Sequence, residues 1–292
     1  MFIQLLNIIA PVAIAAAIGF FWQRKGPGFD IKLVSALVTN VGTPCLVFST
    51  LATVEIERDA FIEMAAATTV TLLSFLAIAA LVFRLTGVSQ KTFLPSMVFA
   101  NTGNMGLPLC LFAFGADGLA LAITYFTIHL ILLFTVGELV SAGNFALGKL
   151  LRQPVLYAVL AALVFLIGGY GVPVWIDNTT TLLGNFTIPL MLITLGVSLA
   201  GMEIGGFKRS LLIAILRLAM GFVVGISAAE LFGLEGMARG VLIVQSTMPV
   251  AVFNYLFAVR NDNSPSEVAG VVVLSTAIAA IILPALLWFV LH

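Results

Sequence analysis

Apolar runs long enough to cross a bilayer follow one another along this chain with only short polar gaps between them. A helix needs roughly 20 residues to span the hydrocarbon. Runs of that kind occupy about 2 to 22, 31 to 52, 59 to 83, 92 to 115, 118 to 141, 154 to 172, 179 to 200, 208 to 232, 237 to 259 and 266 to 290. The expected fold is therefore an all-α membrane protein with ten transmembrane helices. With 61% hydrophobic and 9% charged residues, the chain lacks the polar surface that a water-soluble domain requires. The first run is expected to stay as a span, because its basic residues Arg24 and Lys25 follow the apolar stretch rather than precede it as in a signal peptide.

The few charges set the orientation. Loops on one side carry Arg24, Lys25, Lys32, Arg84, Lys91, Lys149, Arg152, Lys208, Arg209 and Arg260, while the alternate loops carry only Arg58 and Arg239 and collect Glu55, Glu57, Asp59, Glu63, Asp117, Asp177 and Glu235. Basic loops remain in the cytoplasm. A multi-pass protein of the cell (inner) membrane with both termini outside the cytoplasm is expected. Net charge is zero, and nothing in it points to nucleic acid as a partner.

Laid on itself with a shift of 145 residues, the chain shows a repeat. Asn40 and Pro44 fall on Asn185 and Pro189, Thr102 on Thr247, Leu111, Phe112 and Ala113 on Leu256, Phe257 and Ala258, and Asp117 on Asp262. Each half then holds five spans, and an odd number makes the second half enter the membrane from the opposite side. Two inverted repeats over 1–145 and 150–292 are expected, with the seam in the segment 142 to 153.

Residues 101 to 108 read N-T-G-N-M-G-L-P in the middle of the fourth span. Gly103 and Gly106 loosen a helix, and Pro108 has no N–H to donate, so the ladder is expected to break just before Pro108. The ninth span answers with V-Q-S-T-M-P-V-A-V-F-N-Y at 244 to 255, where Ser246 or Thr247 could cap a new half-helix near Pro249. Irregular backbone survives in a membrane only where protein or a water-filled cavity encloses it. Interrupted segments at matching places in two inverted halves mark the substrate site of a secondary transporter, and the free N–H groups of half-helix N-termini favour an anion. A packing kink is the plainer reading of each break taken alone. Asn40 and Thr43 in the second span, and Asn185 in the seventh, either line this site or pack in a scaffold.

Ionisable residues inside spans are functional candidates. Arg217, in the middle of the eighth span, pairs with Glu230, Glu138 or an anion, or else makes a structural ion pair or carbonyl contact. His129 either relays protons or packs as a hydrogen-bonded side chain. Cys45 and Cys110 both fall inside spans and read as small core residues. No protease, hydrolase or phosphate-binding motif is present. No enzyme activity, cofactor or metal is expected.

F-A-N-T-G-N-M-G-L-P, then L-G-N-F-T-I-P-L-M-L-I-T-L-G-V-S-L-A at 183 to 200, Q-S-T-M-P-V-A-V-F-N-Y-L-F-A at 245 to 258 and V-V-V-L-S-T at 271 to 276 together resemble the auxin efflux carrier family in its short bacterial form. The resemblance implies a fold similar to the bile-acid/sodium symporters, with broken helices 4 and 9 crossing at the midplane. It implies that helices 1, 2, 6 and 7 form a scaffold that also dimerises, making a homodimer, while helices 3 to 5 and 8 to 10 form a transport domain that moves like an elevator. Carried over by position, the crossing residues are Asn101, Gly103, Asn104 and Pro108 with Gln245, Pro249 and Asn254, and Ser246 joins the expected site. Family substrates are organic anions, auxin-like or mono- and dicarboxylates. A sodium-coupled symporter of the bile-acid type, and a sensor or channel on the same fold, stand as alternatives. The fourth and ninth spans lack acidic side chains, which favours drive by proton or membrane potential over sodium, although backbone carbonyls can hold sodium unaided.

Overall fold

A computed structural model of the chain describes residues 2–53, 58–143 and 147–292. Glu55 and Glu57, assigned above to the acidic side, and positions 144–146 of the seam lie outside them. Among the described residues every regular element is helical: α1 (Phe2–Lys25), α2 (Ile31–Leu37), α3 (Thr43–Thr53), α4 (Arg58–Thr86), α5 (Gln90–Val98), α6 (Leu107–Leu132), α7 (Glu138–Ala142), α8 (Leu147–Leu150), α9 (Pro154–Gly168), α10 (Val174–Asn185), α11 (Thr187–Ala200), α12 (Phe207–Leu231), α13 (Gly236–Ser246), α14 (Val252–Arg260) and α15 (Pro265–Leu291). Wide π-turns at Val38–Gly42, Thr102–Gly106 and Leu133–Gly137 join α2 to α3, lead into α6, and join α6 to α7.

Seven of the resulting rods are long and apolar enough to cross a membrane: Ile3–Lys25, Ile31–Thr53, Asp59–Thr86, Thr102–Ser141, Val174–Ala200, Phe207–Leu231 and Pro265–Leu291. The fourth of these runs through the expected boundary between the fourth and fifth spans. It turns there at Gly115, whose φ of 73° and ψ of −161° suit glycine alone. The apolar stretch Pro154–Leu166 is shorter, and α5, α13 and α14 are too short to cross alone.

Sequence explains several helix ends. The Asp30 carboxylate accepts the Leu33 N–H at 3.0 Å, and Ser89 caps α5. Pro154 and Pro265 occupy first turns, and Gly169 ends α9 in the left-handed region. Within the rods, hydroxyls of Thr68, Thr71, Thr127 and Thr276 bond the carbonyl four residues back, so they carry no unmet donor into the apolar interior.

Packing falls into two groups. α1 lies along α11, and α3 packs on α9 and α10; α4 packs on α5 and α6, and α12 on α13 and α15. Small residues set the first group's spacing. A side chain at Gly19 would collide with the Ile193 carbonyl, and one at Gly196 with the Ala16 carbonyl, so α1 and α11 touch backbone to backbone. Large apolar side chains such as Ile14, Ile18, Leu160, Val164, Val223 and Ile281 remain exposed on the outside, the face that a bilayer would cover.

Candidate functional site

The chain leaves helical conformation at 99–101 and again at 247–251, and these two breaks meet. Ala100 and Val250 form an antiparallel bridge: the Asn101 N–H donates to the Pro249 carbonyl at 2.7 Å, and the Ala251 N–H to the Phe99 carbonyl at 3.2 Å. The Asn254 amide donates to the Phe99 and Ala251 carbonyls at 2.8 and 3.1 Å, and the Val250 N–H donates to Ser275 Oγ at 3.1 Å. These bonds answer the backbone groups that the breaks expose, where an apolar surrounding would penalise each unmet group.

Both breaks therefore exist; the ninth-span break includes Pro249, near which the sequence predicts it, while the fourth-span break lies earlier than the sequence suggests. The ladder opens at 99–101, after α5, which carries Pro95 inside it. Pro108 is accommodated in the first turn of α6, where a missing N–H is harmless, and the π-turn Thr102–Gly106 absorbs the Asn-Gly residues before it. In the ninth span Ser246 and Thr247 do not cap the second half-helix. Their hydroxyls turn back to the Leu242 and Ile243 carbonyls and close α13, while α14 starts at Val252 with no side-chain cap. Pro249 lies in the non-helical stretch itself.

The N-terminal ends of the Thr102 π-turn and of α14 both face the crossing. Among the described residues the N–H groups of Thr102, Gly103, Asn104, Val252 and Phe253 have no backbone carbonyl partner, as expected of a helix's first turn. These five residues line a cavity of about 100 Å³ together with Asn101, Thr43, His129, Phe126 and Phe134, among others, and its lining contains no Asp, Glu, Lys or Arg. The Asn101 Nδ2 and Thr43 Oγ1 are buried without a partner. His129 Nδ1 lies 3.4 Å from the Thr102 hydroxyl, its ring is edge-on to Phe99, and its Nε2 is unpartnered. A second cavity of about 240 Å³ shares Thr39, Asn104, Met191, Val252 and Phe253 and extends past Ser35 and Ser198 to Ile31, Gly201 and Met202.

Of the expected site residues, Asn101, Gly103, Asn104 and Thr43 converge on the crossing cavity. Pro249 and Asn254 belong to the crossing itself without lining its cavity, and Pro108, Gln245 and Ser246 are also absent from the lining. Gln245 is fully buried, and a side chain on Gly106 would run into its amide. Asn40 is exposed and lines neither cavity; Asn185, also exposed, faces a separate cavity of about 670 Å³ with Thr50, Thr53, Asp117 and Thr181. Arg217 meets neither Glu230, which is exposed, nor Glu138. Glu138 is instead buried between Arg260 at 2.9 Å and Lys149 at 2.8 Å. The contributions of Phe126, Phe134 and Met191 to the cavity carry no sequence signal, since an apolar wall residue looks like any lipid-facing one; Gln153 also lines it without being among the expected residues.

Removing the Asn254 side chain takes two bonds from the crossing while adding no strain. Asn254→Ala is expected to destabilise the protein by about 1–3 kcal/mol, measured as a lowered Tm in detergent.

An apolar helical bundle built round two interrupted helices that enclose a donor-lined cavity is the architecture of a membrane transport protein. Residues 4–144 and 138–287 match the profile of the family described as Membrane transport protein. The chain belongs to that family, the one whose auxin efflux carriers its motifs resemble. It is 27% identical over 274 residues to an uncharacterized transporter of Methanothermobacter thermautotrophicus, covering 89% of each chain. It is 21% identical over 308 residues to an uncharacterized transporter of Methanocaldococcus jannaschii, covering 98% of this chain and 99% of that one.

Proposed function

We propose that the protein is a secondary carrier of a small organic anion, which it binds at the crossing and moves by alternating access. The observation that carries this reading is the crossing cavity: its lining includes five residues at two helix N-termini whose N–H groups have no backbone partner, and Asn101 with its unpartnered amide, but no acidic residue. Donors without acceptors, at the positive ends of two helix dipoles, suit a carboxylate. Phe126, Phe134 and Phe253, with Leu130 and Leu133, form the remaining wall. A monocarboxylate with an apolar body fits that division better than a dicarboxylate, whose second charge would face hydrocarbon.

The ten-span inverted repeat, the elevator and the homodimer belong to the same reading. The packing of α1, α3, α9, α10 and α11 as one group, and of α4, α5, α6, α12, α13 and α15 as another, supports a scaffold and a transport domain. The second cavity supports an inward-facing state, because it leads from the crossing towards Ile31, Gly201 and Met202, at the end of the molecule whose loops carry Lys32, Lys208 and Arg209. Purified protein warmed with carboxylates of graded size is expected to gain Tm with aromatic or branched monocarboxylates and little with dicarboxylates. Proteoliposomes should then take up the same acids in a saturable manner. Stabilisation without flux would sink the carrier reading in favour of a sensor.

A further inference from the structure

Among the described residues Arg217 is the largest fully buried side chain, at 0% exposure in the middle of α12. A buried charge normally has a counter-ion, and among the described residues this one has no carboxylate partner. Its NH2 group donates to the Ser246 carbonyl at 3.0 Å, and its guanidinium lies over the Phe75 ring, 4.8 Å from the centroid. Nε and NH1 make no hydrogen bond. Arg217 lines neither the crossing cavity nor the one beside it, so it does not face an anion bound in either.

What it does touch is the end of a half-helix. Ser246 is the last residue of α13, at the negative end of the helix dipole; the Ile243, Val244 and Gln245 carbonyls accept the N–H groups of Thr247 and Met248, which leaves the Ser246 carbonyl to the guanidinium. The neighbouring Gln245 has an amide oxygen that is buried and unpartnered, and the Tyr125 hydroxyl is in the same condition. The approach is built in from both sides: a side chain at Gly221 would strike the Ser246 carbonyl and come within 2.8 Å of the Arg217 NH1. In carriers with interrupted helices, such carbonyl ends are where a coupling sodium ion or proton binds.

The geometry points to Arg217 as a tethered cation that permanently fills a monovalent-cation site at the carbonyl end of α13. The guanidinium supplies the positive charge that the Ser246 carbonyl and the half-helix end would otherwise draw from solution. This inference rests on the carrier reading for its consequence, which is that no sodium ion travels with the anion through this site. Its test does not depend on that reading. It asks only what the α13 end binds when the side chain is gone.

Apparent Tm is to be measured in detergent in sodium, choline and low-millimolar guanidinium chloride at matched ionic strength. The unaltered protein is expected to melt at the same temperature in sodium and in choline. Arg217→Ala is expected to lose about 5 °C or more, and to recover most of that loss in guanidinium or sodium but not in the bulkier choline. Sodium-specific stabilisation of the unaltered protein, or an Arg217→Ala variant indifferent to all three cations, would overturn the inference. Should Arg217→Ala fail to fold in every salt, Arg217→Lys and Arg217→Met decide the matter. The lysine variant keeps a cation near Ser246 and is expected to fold and ignore sodium. A methionine variant at least as stable as the lysine one would show that only packing counts. A carboxylate screen that finds no ligand would leave each of these outcomes readable.

Discussion

The double variant Asn101→Ala/Asn104→Ala is expected to lose at least tenfold in carboxylate affinity while its Tm in the absence of ligand stays nearly unchanged. Both side chains belong to the crossing cavity, and the Asn101 Nδ2 has no protein partner to orphan when it is removed. The structural bonds at this position run through the backbone: the Asn101 N–H to Pro249, and the Asn101 carbonyl to Met105 and Gly106. Alanine keeps all of them. A hydrogen bond to a charged group contributes about 1.5–3 kcal/mol, so even one lost amide contact to a carboxylate exceeds a factor of ten. Titration of ligand-induced stabilisation gives the affinity, and uptake at equal amounts of folded carrier gives the functional loss. Unchanged affinity in a well-folded double variant would move the anion site elsewhere.

Gly196→Val is expected to reduce stability by about 3 kcal/mol or more, and to leave little folded protein. The clash it creates is with the backbone carbonyl of Ala16, which cannot rotate away as a side chain would. α1 and α11 would have to separate along their length, and in lipid no hydrophobic gain rewards a looser contact. Gly201→Ala supplies the control, because a side chain there would meet nothing nearer than the Val197 carbonyl at 3.7 Å. Folded yield by size exclusion and Tm in detergent should separate the two variants clearly.

The lipid-crossing character of the chain, its helical class and its family are all legible in the sequence, because each is written as composition or as a contiguous block. The existence of two breaks is legible too, since prolines, glycines and asparagines in hydrocarbon need an explanation. The position of the first is not. A proline's meaning depends on whether it falls in the interior or the first turn of a helix, and Pro108 proves to be at a start, with Pro95 and Pro249 nearer the actual openings. Gly42 meets Thr187 in keeping with the shift of 145, but Ala100 pairs with Val250, five residues out of that register. A two-fold axis through this bridge would relate Asn104 to Asn254, one a cavity residue and the other a brace. Side-chain duties at this level follow from depth and direction, which a linear string of letters does not record. The same holds for Arg217, whose carbonyl partner is visible only once α12 and α13 are side by side.

The bridge at Ala100 and Val250 also bears on movement. Each break is closed by peptide groups of the other, so neither half of the chain can unwind there on its own without stranding polar groups in oil. On the proposed carrier reading, cargo gripped at this knot would ride on both halves together, and whatever opened it to the far side of the membrane would have to shift the knot whole.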